Sequence, residues 1–258
     1  VVGVGRGRAN LEQALLMGVV DETAASLEAA LPGADLVLLA APVGQNARLM
    51  AQLAGRLDER TLVTDAGSTK QDVVAIARKR LGHHLPRFVP AHPIAGAEKS
   101  GAGAASAALY QDRTVVLTPL PETDPRARDT VRALWQACGA RVVEMAPERH
   151  DRILAAVSHL PHLLAFTLMD LIAGEPEDET LLRFAGPGFR DVTRIAASSP
   201  EMWRDVCLAN RAALLELIDA YQARLDEVRG RLAREDGEGL ERLFTRARKA
   251  RQRLDEEP

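Results

Sequence analysis

The sequence predicts an α/β domain followed by an all-helical one. Up to about Met145, short β-branched runs alternate with helical stretches, the rhythm of a doubly wound sheet. From Pro147 onward the apolar spacing is helical throughout, with no strand-like run. The bulk numbers agree: 258 residues, 47% hydrophobic and 27% charged, are enough for two domains and too apolar for disorder. The expected division is therefore 1–146 and 147–258.

The expected strands are Val1–Val4, Asp35–Leu39, Thr61–Thr64, Arg87–Val89, Thr114–Leu117 and Arg141–Glu144. Between them lie helical patterns at Asn10–Met17, Gln45–Arg56, Lys70–Leu81 and Pro125–Ala137. Leu36-Val37-Leu38-Leu39 is apolar on both faces, as in a parallel sheet covered by helices on both sides. The second half reads as helices over His150–Ile172, about 188–197, Pro200–Arg229 and Glu238–Asp255. Pro161 falls inside the first of these and should kink it. Gly174–Asp178 reads as a loop from its turn residues.

Composition excludes several functions. Lys plus Arg is 33 and Asp plus Glu is 36, a net charge of −3, whereas a general nucleic-acid binder needs a basic excess. The last helix is rich in both Arg and Glu, and such mixed charge marks a solvated face. No uninterrupted run of 18 apolar residues occurs, so no membrane span is expected. The two cysteines, Cys138 and Cys207, lack metal or disulfide spacing. They are expected as buried thiols in a reducing, cytoplasmic compartment.

In an open parallel sheet, ligands bind beyond the carboxyl ends of the strands. The residues there are Gly5-Arg6-Gly7-Arg8, Ala40-Ala41-Pro42-Val43, Asp65-Ala66-Gly67-Ser68 and, after Arg87–Val89, Ala91-His92-Pro93-Ile94-Ala95-Gly96. Such a crest of small residues lets a planar cofactor approach the backbone. Ala41, Pro42, Asp65 and Gly67 are the candidate contacts. Val1–Val4 reads as the second strand of a dinucleotide fold, whose end carries an acid when the ligand is NAD. Arg6 and Arg8 stand there instead and suit the 2′-phosphate of NADP, with NAD the alternative. The first strand and the glycine loop are expected upstream of Val1, in a segment of about 30 residues.

His92 is the candidate base, since a neutral imidazole near pH 7 accepts a proton from a hydroxyl. His150, His159 and His162 form a possible metal set, although Pro161 disturbs their helix and no H-E-x-x-H pattern occurs. Arg190 and Arg194, at i and i+4, suit a carboxylate, with surface pairing to Asp191 the plainer reading.

Taken together, these motifs resemble the prephenate/arogenate dehydrogenases of tyrosine biosynthesis. The residues that carry the resemblance are Asp65-x-Gly67-Ser68-x-Lys70, His92-Pro93-Ile94-Ala95-Gly96-x-Glu98-x-Ser100-Gly101 and His150-Asp151. They continue in Ser158-His159-Leu160-Pro161-His162 and Gly188-Phe189-Arg190-Asp191-x-Thr193-Arg194, followed by Met202-Trp203. The resemblance spans essentially the whole chain. It implies a Rossmann-type nucleotide-binding domain and a helical substrate-binding domain that forms a homodimer. It implies oxidative decarboxylation of prephenate or arogenate, with hydride passing to NAD(P). It assigns proton acceptance to His92 with Ser68 in support, and a substrate carboxylate to Arg194. It places His162 and His159 along the substrate pocket, Glu98 and Asp191 near its entrance, and Trp203 close by. Aromatisation drives such a reaction, so no metal is implied. Two other readings stay open: a β-hydroxyacid-type dehydrogenase, which would want a lysine on the first interdomain helix, and a non-catalytic dimeric sensor. The sequence does not separate prephenate from arogenate.

Overall fold

A computed structural model describes residues 1–96 and 101–256. The chain divides into two compact units, Val1–Arg211 and Ala212–Pro258.

The first unit holds every strand. Val2–Gly3 (β1) pairs in parallel with Glu22–Thr23 (β2), joined by helix α1, Arg8–Leu16. A one-turn helix, Leu27–Ala30 (α2), starts where the Ser26 side chain accepts from the Ala29 amide at 3.2 Å. Leu36–Leu39 (β3) and Leu62–Asp65 (β4) are parallel, with Leu39 opposite Asp65, and Phe88–Val89 (β5) continues the sheet beyond β4. Helices Asn46–Leu53 (α3) and Gln71–Arg80 (α4) follow β3 and β4. Met50, Leu53, Val73, Ala77 and Phe88 pack with Val63 into one fully enclosed cluster. β4 is buried on both faces, as its apolar run implies, whereas β3 leaves Leu38 exposed.

One expectation of an all-parallel sheet is corrected. Ala91–Pro93 (β6) runs antiparallel to Thr114–Leu117 (β7), with His92 opposite Val116, while β7 is parallel to Arg141–Glu144 (β8). Pro90 and Pro93 have no N–H to give a ladder, so the segment splits. Phe88–Val89 joins β4 and Ala91–Pro93 joins β7. Pro125–Ala137 (α5) covers this sheet, capped by Asp124, and buries Val131 and Trp135 against Val115 and Leu117. Cys138 ends that helix and is exposed, and Cys207 is only half-buried, so neither thiol is the buried one expected.

The helical run from Pro147 is not uniform. It consists of Pro147–Leu154 (α6), a π turn over Ala155–His159, and Leu160–Ala173 (α7). Pro161 explains the π turn. In a regular helix its ring would strike the Val157 carbonyl, and the wider turn relieves that contact. This run has a mean hydropathy of 1.4 over its most apolar window, enough by length and composition to cross a membrane, although only 22% of that window is buried. Asp178–Arg183 (α8), Pro187–Thr193 (α9) and Pro200–Ala209 (α10) complete the unit. The helix expected over Pro200–Arg229 is thus broken at Asn210, whose side chain donates instead to the Asp151 carbonyl at 2.8 Å.

The second unit contains most of Arg211–Ala233 (α11), then Gly237–Glu256 (α12). Arg231 bridges Glu227 and Asp236, and Asp236 accepts from the Gly239 amide, which sets the turn between the helices.

In the first unit, Asp65 and Lys70 form an ion pair with both side chains fully enclosed. Removing one partner of such a pair strands the other charge. Lys70→Ala is expected to lower stability by about 3–5 kcal/mol, read as a drop in the urea midpoint. Arg78→Ala, at the exposed Arg78–Glu122 pair, should leave the midpoint nearly unchanged. Equal effects of the two would refute the ranking.

Candidate active site

The site begins where β4 ends. The Asp65 carboxylate accepts from the Gly67 amide at 2.8 Å, the Ala91 amide at 3.1 Å and the Lys70 ammonium. Lys70 also donates to the Ala91 carbonyl at 2.7 Å. Ala91 is therefore held on both its amide and its carbonyl, and the next residue is His92.

His92 Nδ1 lies 2.8 Å from His150 Nε2, and His150 Nδ1 lies 2.7 Å from Asp151 Oδ1. The Asp151 carboxylate also accepts from the backbone amides of Lys70 at 2.8 Å and Gln71 at 2.9 Å. It thereby caps α4, whose own N-cap residue provides no side-chain bond. Burial alone would raise the Asp151 carboxyl, but the hydrogen bonds from His150, Gln71 and Lys70 outweigh it and hold it low. The result is a closed circuit: Asp65, Lys70, Asp151, His150, His92 and, through Ala91, Asp65 again. Burial, reinforced by the Lys70 ammonium and the neighbouring imidazoles, holds His92 well below the usual histidine range. The ring is thus neutral near pH 7 and able to accept a proton.

A second group adjoins the first. His162 stacks on Trp203 with ring centroids 3.7 Å apart and 19° between planes, and its Nδ1 donates to the Ser158 carbonyl at 2.9 Å. Burial lowers the His162 pKa, and the nearby Arg194 guanidinium lowers it further. His159 meets Trp203 edge-on at 6.0 Å and accepts from Asn210 at 3.1 Å. The π turn sets this arrangement by turning His159 inward and leaving His162 half-buried.

The structure sets His92 against His150 and Asp151, and His162 against Trp203 and near Arg194, with His159 close to both groups. His159, expected along the pocket wall, is fully enclosed and contacts Asn210 and Trp203. Asp65, expected at the cofactor, is also fully enclosed and accepts from Gly67, Lys70 and Ala91. Ser68 is half-buried, and no hydrogen bond links it to His92 among the described residues; its backbone borders His159 instead. Asp191 is exposed on α9, and Glu98 lies outside the described residues. Arg6 forms a two-pronged pair with Glu201 at 3.0 and 3.1 Å, and exposed Arg8 pairs with Glu12.

β3 and β4 end in register, with Leu39 opposite Asp65, and Val43 lies close to Gly67. A Cβ on Gly67 would lie 2.9 Å from Val43 Cγ1 and 2.8 Å from Asp65 Oδ2, so only glycine keeps the two ends this close.

Comparison with known proteins bears on these features. Residues 1–144 match the family model "Prephenate dehydrogenase, nucleotide-binding domain", and residues 146–246 match "Prephenate dehydrogenase, dimerization domain". The prephenate dehydrogenase of Bacillus subtilis is 37% identical, over 98% of this chain and 69% of its own length. The cyclohexadienyl dehydrogenase of Zymomonas mobilis is 36% identical, over 93% of this chain and 82% of its own. A crystal structure of prephenate dehydrogenase from Aquifex aeolicus, in complex with hydroxyphenyl propionate and NAD+, aligns with a TM-score of 0.90 at 35% identity. It covers 98% of this chain and 88% of the other.

The enclosed His159 ring has a consequence for acid stability. Burial, aided by His150 and His162 against the pull of Asp151, lowers its pKa to about 4. The unfolded chain takes up that proton near pH 6.5. Between these values the unfolded state binds more protons, so stability rises with pH. The contribution is complete above about pH 6.5 and is lost as pH falls toward about 4. The urea midpoint should fall over this window, and less steeply in His159→Gln. An identical slope in the variant would remove His159 as a cause.

Proposed function

The chain belongs to the prephenate dehydrogenase family, and from that premise we infer that it oxidatively decarboxylates prephenate or arogenate, giving 4-hydroxyphenylpyruvate or tyrosine. The observation that carries this reading is the neutral, buried His92, held at the strand ends by the Ala91 clamp and the His150–Asp151 pair. A bound nicotinamide dinucleotide supplies the hydride acceptor.

The protein's part is to hold the ring and to take a proton. His92 accepts the proton of the ring hydroxyl as its carbon becomes a carbonyl, and burial makes that acceptance possible at neutral pH. Ser68, on the same crest, supports the polar contact. Arg194 binds a substrate carboxylate and thereby orients the ring. His162 and Trp203 offer a stacked surface beside it. Asp191 stands at the entrance. Loss of CO2 aromatises the ring, so the proton and the carboxylate are what these side chains must handle.

Ala41, Pro42 and Gly67 form the cradle for the cofactor. Arg6 and Arg8, after β1, support a preference for NADP over NAD. The 2′-phosphate would take the place of the Glu201 carboxylate on Arg6, a like-for-like exchange of a two-pronged anion.

Pairing with a second copy through the helical segment is also proposed. The second family match is described as a dimerization domain. The Pro147–Ala173 run also leaves Val157 and Leu171 exposed while its His150 and Asp151 are tied to His92 and Lys70. That arrangement suits a protein partner better than lipid. The exposed and half-buried thiols, both free, suit a reducing, cytoplasmic setting.

One assay series tests the catalytic reading: prephenate and arogenate, each with NAD and NADP. His92→Asn should lose about 10²–10⁴-fold in kcat with little change in KM, because the interaction is realised in the transition state. Arg194→Ala should chiefly raise KM. Comparable kcat in His92→Asn would sink the base assignment. Equal kcat/KM with both cofactors would overturn the NADP preference.

A further inference from the structure

His92 has two ring nitrogens, and only one arrangement of protons lets it act as a base. Nδ1 faces His150 Nε2 at 2.8 Å, whereas Nε2 makes no hydrogen bond among the described residues. Beyond His150 stands Asp151. Its Oδ1 takes His150 Nδ1 at 2.7 Å and the Lys70 amide at 2.8 Å, and its Oδ2 takes the Gln71 amide and side chain at 2.9 and 3.3 Å. Every one of these contacts is with a group that can donate, so the carboxylate is an anion and an acceptor only. His150 Nδ1 must therefore carry a proton. In the neutral ring, Nε2 is then an acceptor, and the shared hydrogen on the His92 side belongs to His92 Nδ1. The lone pair of His92 is left on Nε2.

We propose that His150 is a positioning residue that, backed by Asp151, fixes His92 as the Nδ1–H tautomer and leaves Nε2 as the atom that takes the substrate's proton. This inference rests on the base assignment made above. In the step, the substrate O–H bond breaks and an N–H bond forms at Nε2. The O–H electron pair becomes the second bond of the new carbonyl, and the hydride leaves the same carbon for the nicotinamide. His92 then carries a positive charge, and its Nδ1–H bond to His150, anchored on the Asp151 anion, strengthens as that charge forms. As CO2 leaves, its bonding pair aromatises the ring and passes to the carbonyl oxygen, which takes the proton back from Nε2 as the phenol forms, so His92 is neutral again. The opposite arrangement, with His150 donating to His92, would leave His92 only an Nε2–H and no base.

His150 and His92 come from different elements, α6 and β6, 58 residues apart. Both rings are held independently of each other. Ala91 is clamped by Asp65 and Lys70, and Asp151 is clamped by the start of α4. Among the described residues, the titratable and charged groups around His92 are Asp65 and Lys70 from the β4–α4 turn, His150 and Asp151 from α6, and His159 from the π turn. The pH profile of any variant reports on this set and not on His92 alone.

The test is direct observation of the tautomer. Long-range ¹H–¹⁵N spectra of protein carrying ¹⁵N-histidine resolve protonated from bare ring nitrogens, and His92→Asn identifies which of the six histidines is His92. Wild type is expected to show His92 protonated on Nδ1 and bare on Nε2. His150→Phe keeps a ring but cannot accept, and should move His92 toward the Nε2–H form. It should also lower kcat by about a hundredfold or more, with KM within about twofold. His150→Gln offers a carbonyl in place of the acceptor and should restore both the Nδ1–H signature and most of kcat. An Nε2–H His92 in wild type, or an unchanged signature in His150→Phe, overturns the proposal. The wild-type spectrum decides the matter even if His150→Phe does not fold. An intact Nδ1–H signature together with an active His92→Asn would instead overturn the base assignment and leave the tautomer arrangement standing.

Discussion

The buried Asp65–Lys70 pair is the constraint on which the rest depends. Two charges with no solvent access survive only if each finds several partners. Asp65 finds them in the Gly67 and Ala91 amides, and Lys70 finds the Ala91 carbonyl. Those same bonds do three structural jobs. They close the turn after β4, they bring β6 against it, and they fix the backbone one residue before His92. The charge that must be neutralised inside the fold thus also aims the His92 side chain.

The pair also reaches into the helical half of the chain. Lys70 gives its backbone amide to Asp151, so the first turn of α4 is capped by a residue 81 positions away. A local Ser or Asp at the N-cap would have satisfied the helix equally well. It would not have tied α6 to the sheet or set His150 against His92. This is why the first compact unit runs to Arg211 although the sequence changes character near Pro147. The family models divide the chain at 144 and 146, and the hydrogen bonds cross that line.

Pro161 has a similar double effect. Its missing donor and bulky ring force the π turn, and the π turn rotates the two histidines of Ser158-His159-Leu160-Pro161-His162 apart in burial. His159 becomes interior and structural. His162 stays half-buried, stacked on Trp203 and near Arg194. A regular helix with the same sequence would present both rings along one face.

The sequence by itself determined the alternation of strands and helices, the change to helices after Met145, and the crest of small residues. These are local properties: apolar period, β-branching and glycine placement each act within a few residues. Only the family resemblance, not these local properties, joined His92, His162, Arg194 and Trp203 into one expected set. The antiparallel β6, the break at Asn210, the exposure of Cys138 and the interior place of His159 and Asp65 were not legible. Three of these depend on a partner distant in sequence: Thr114–Leu117 for β6, Asp151 for Asn210 and Ala91 for Asp65. Arg6 shows the same limit, since its pairing with Glu201 spans 195 positions. Above all, only the tertiary structure placed His150 between His92 and Asp151. A histidine's role is set by which nitrogen holds its proton, and that is decided by what the folded chain puts 2.8 Å away.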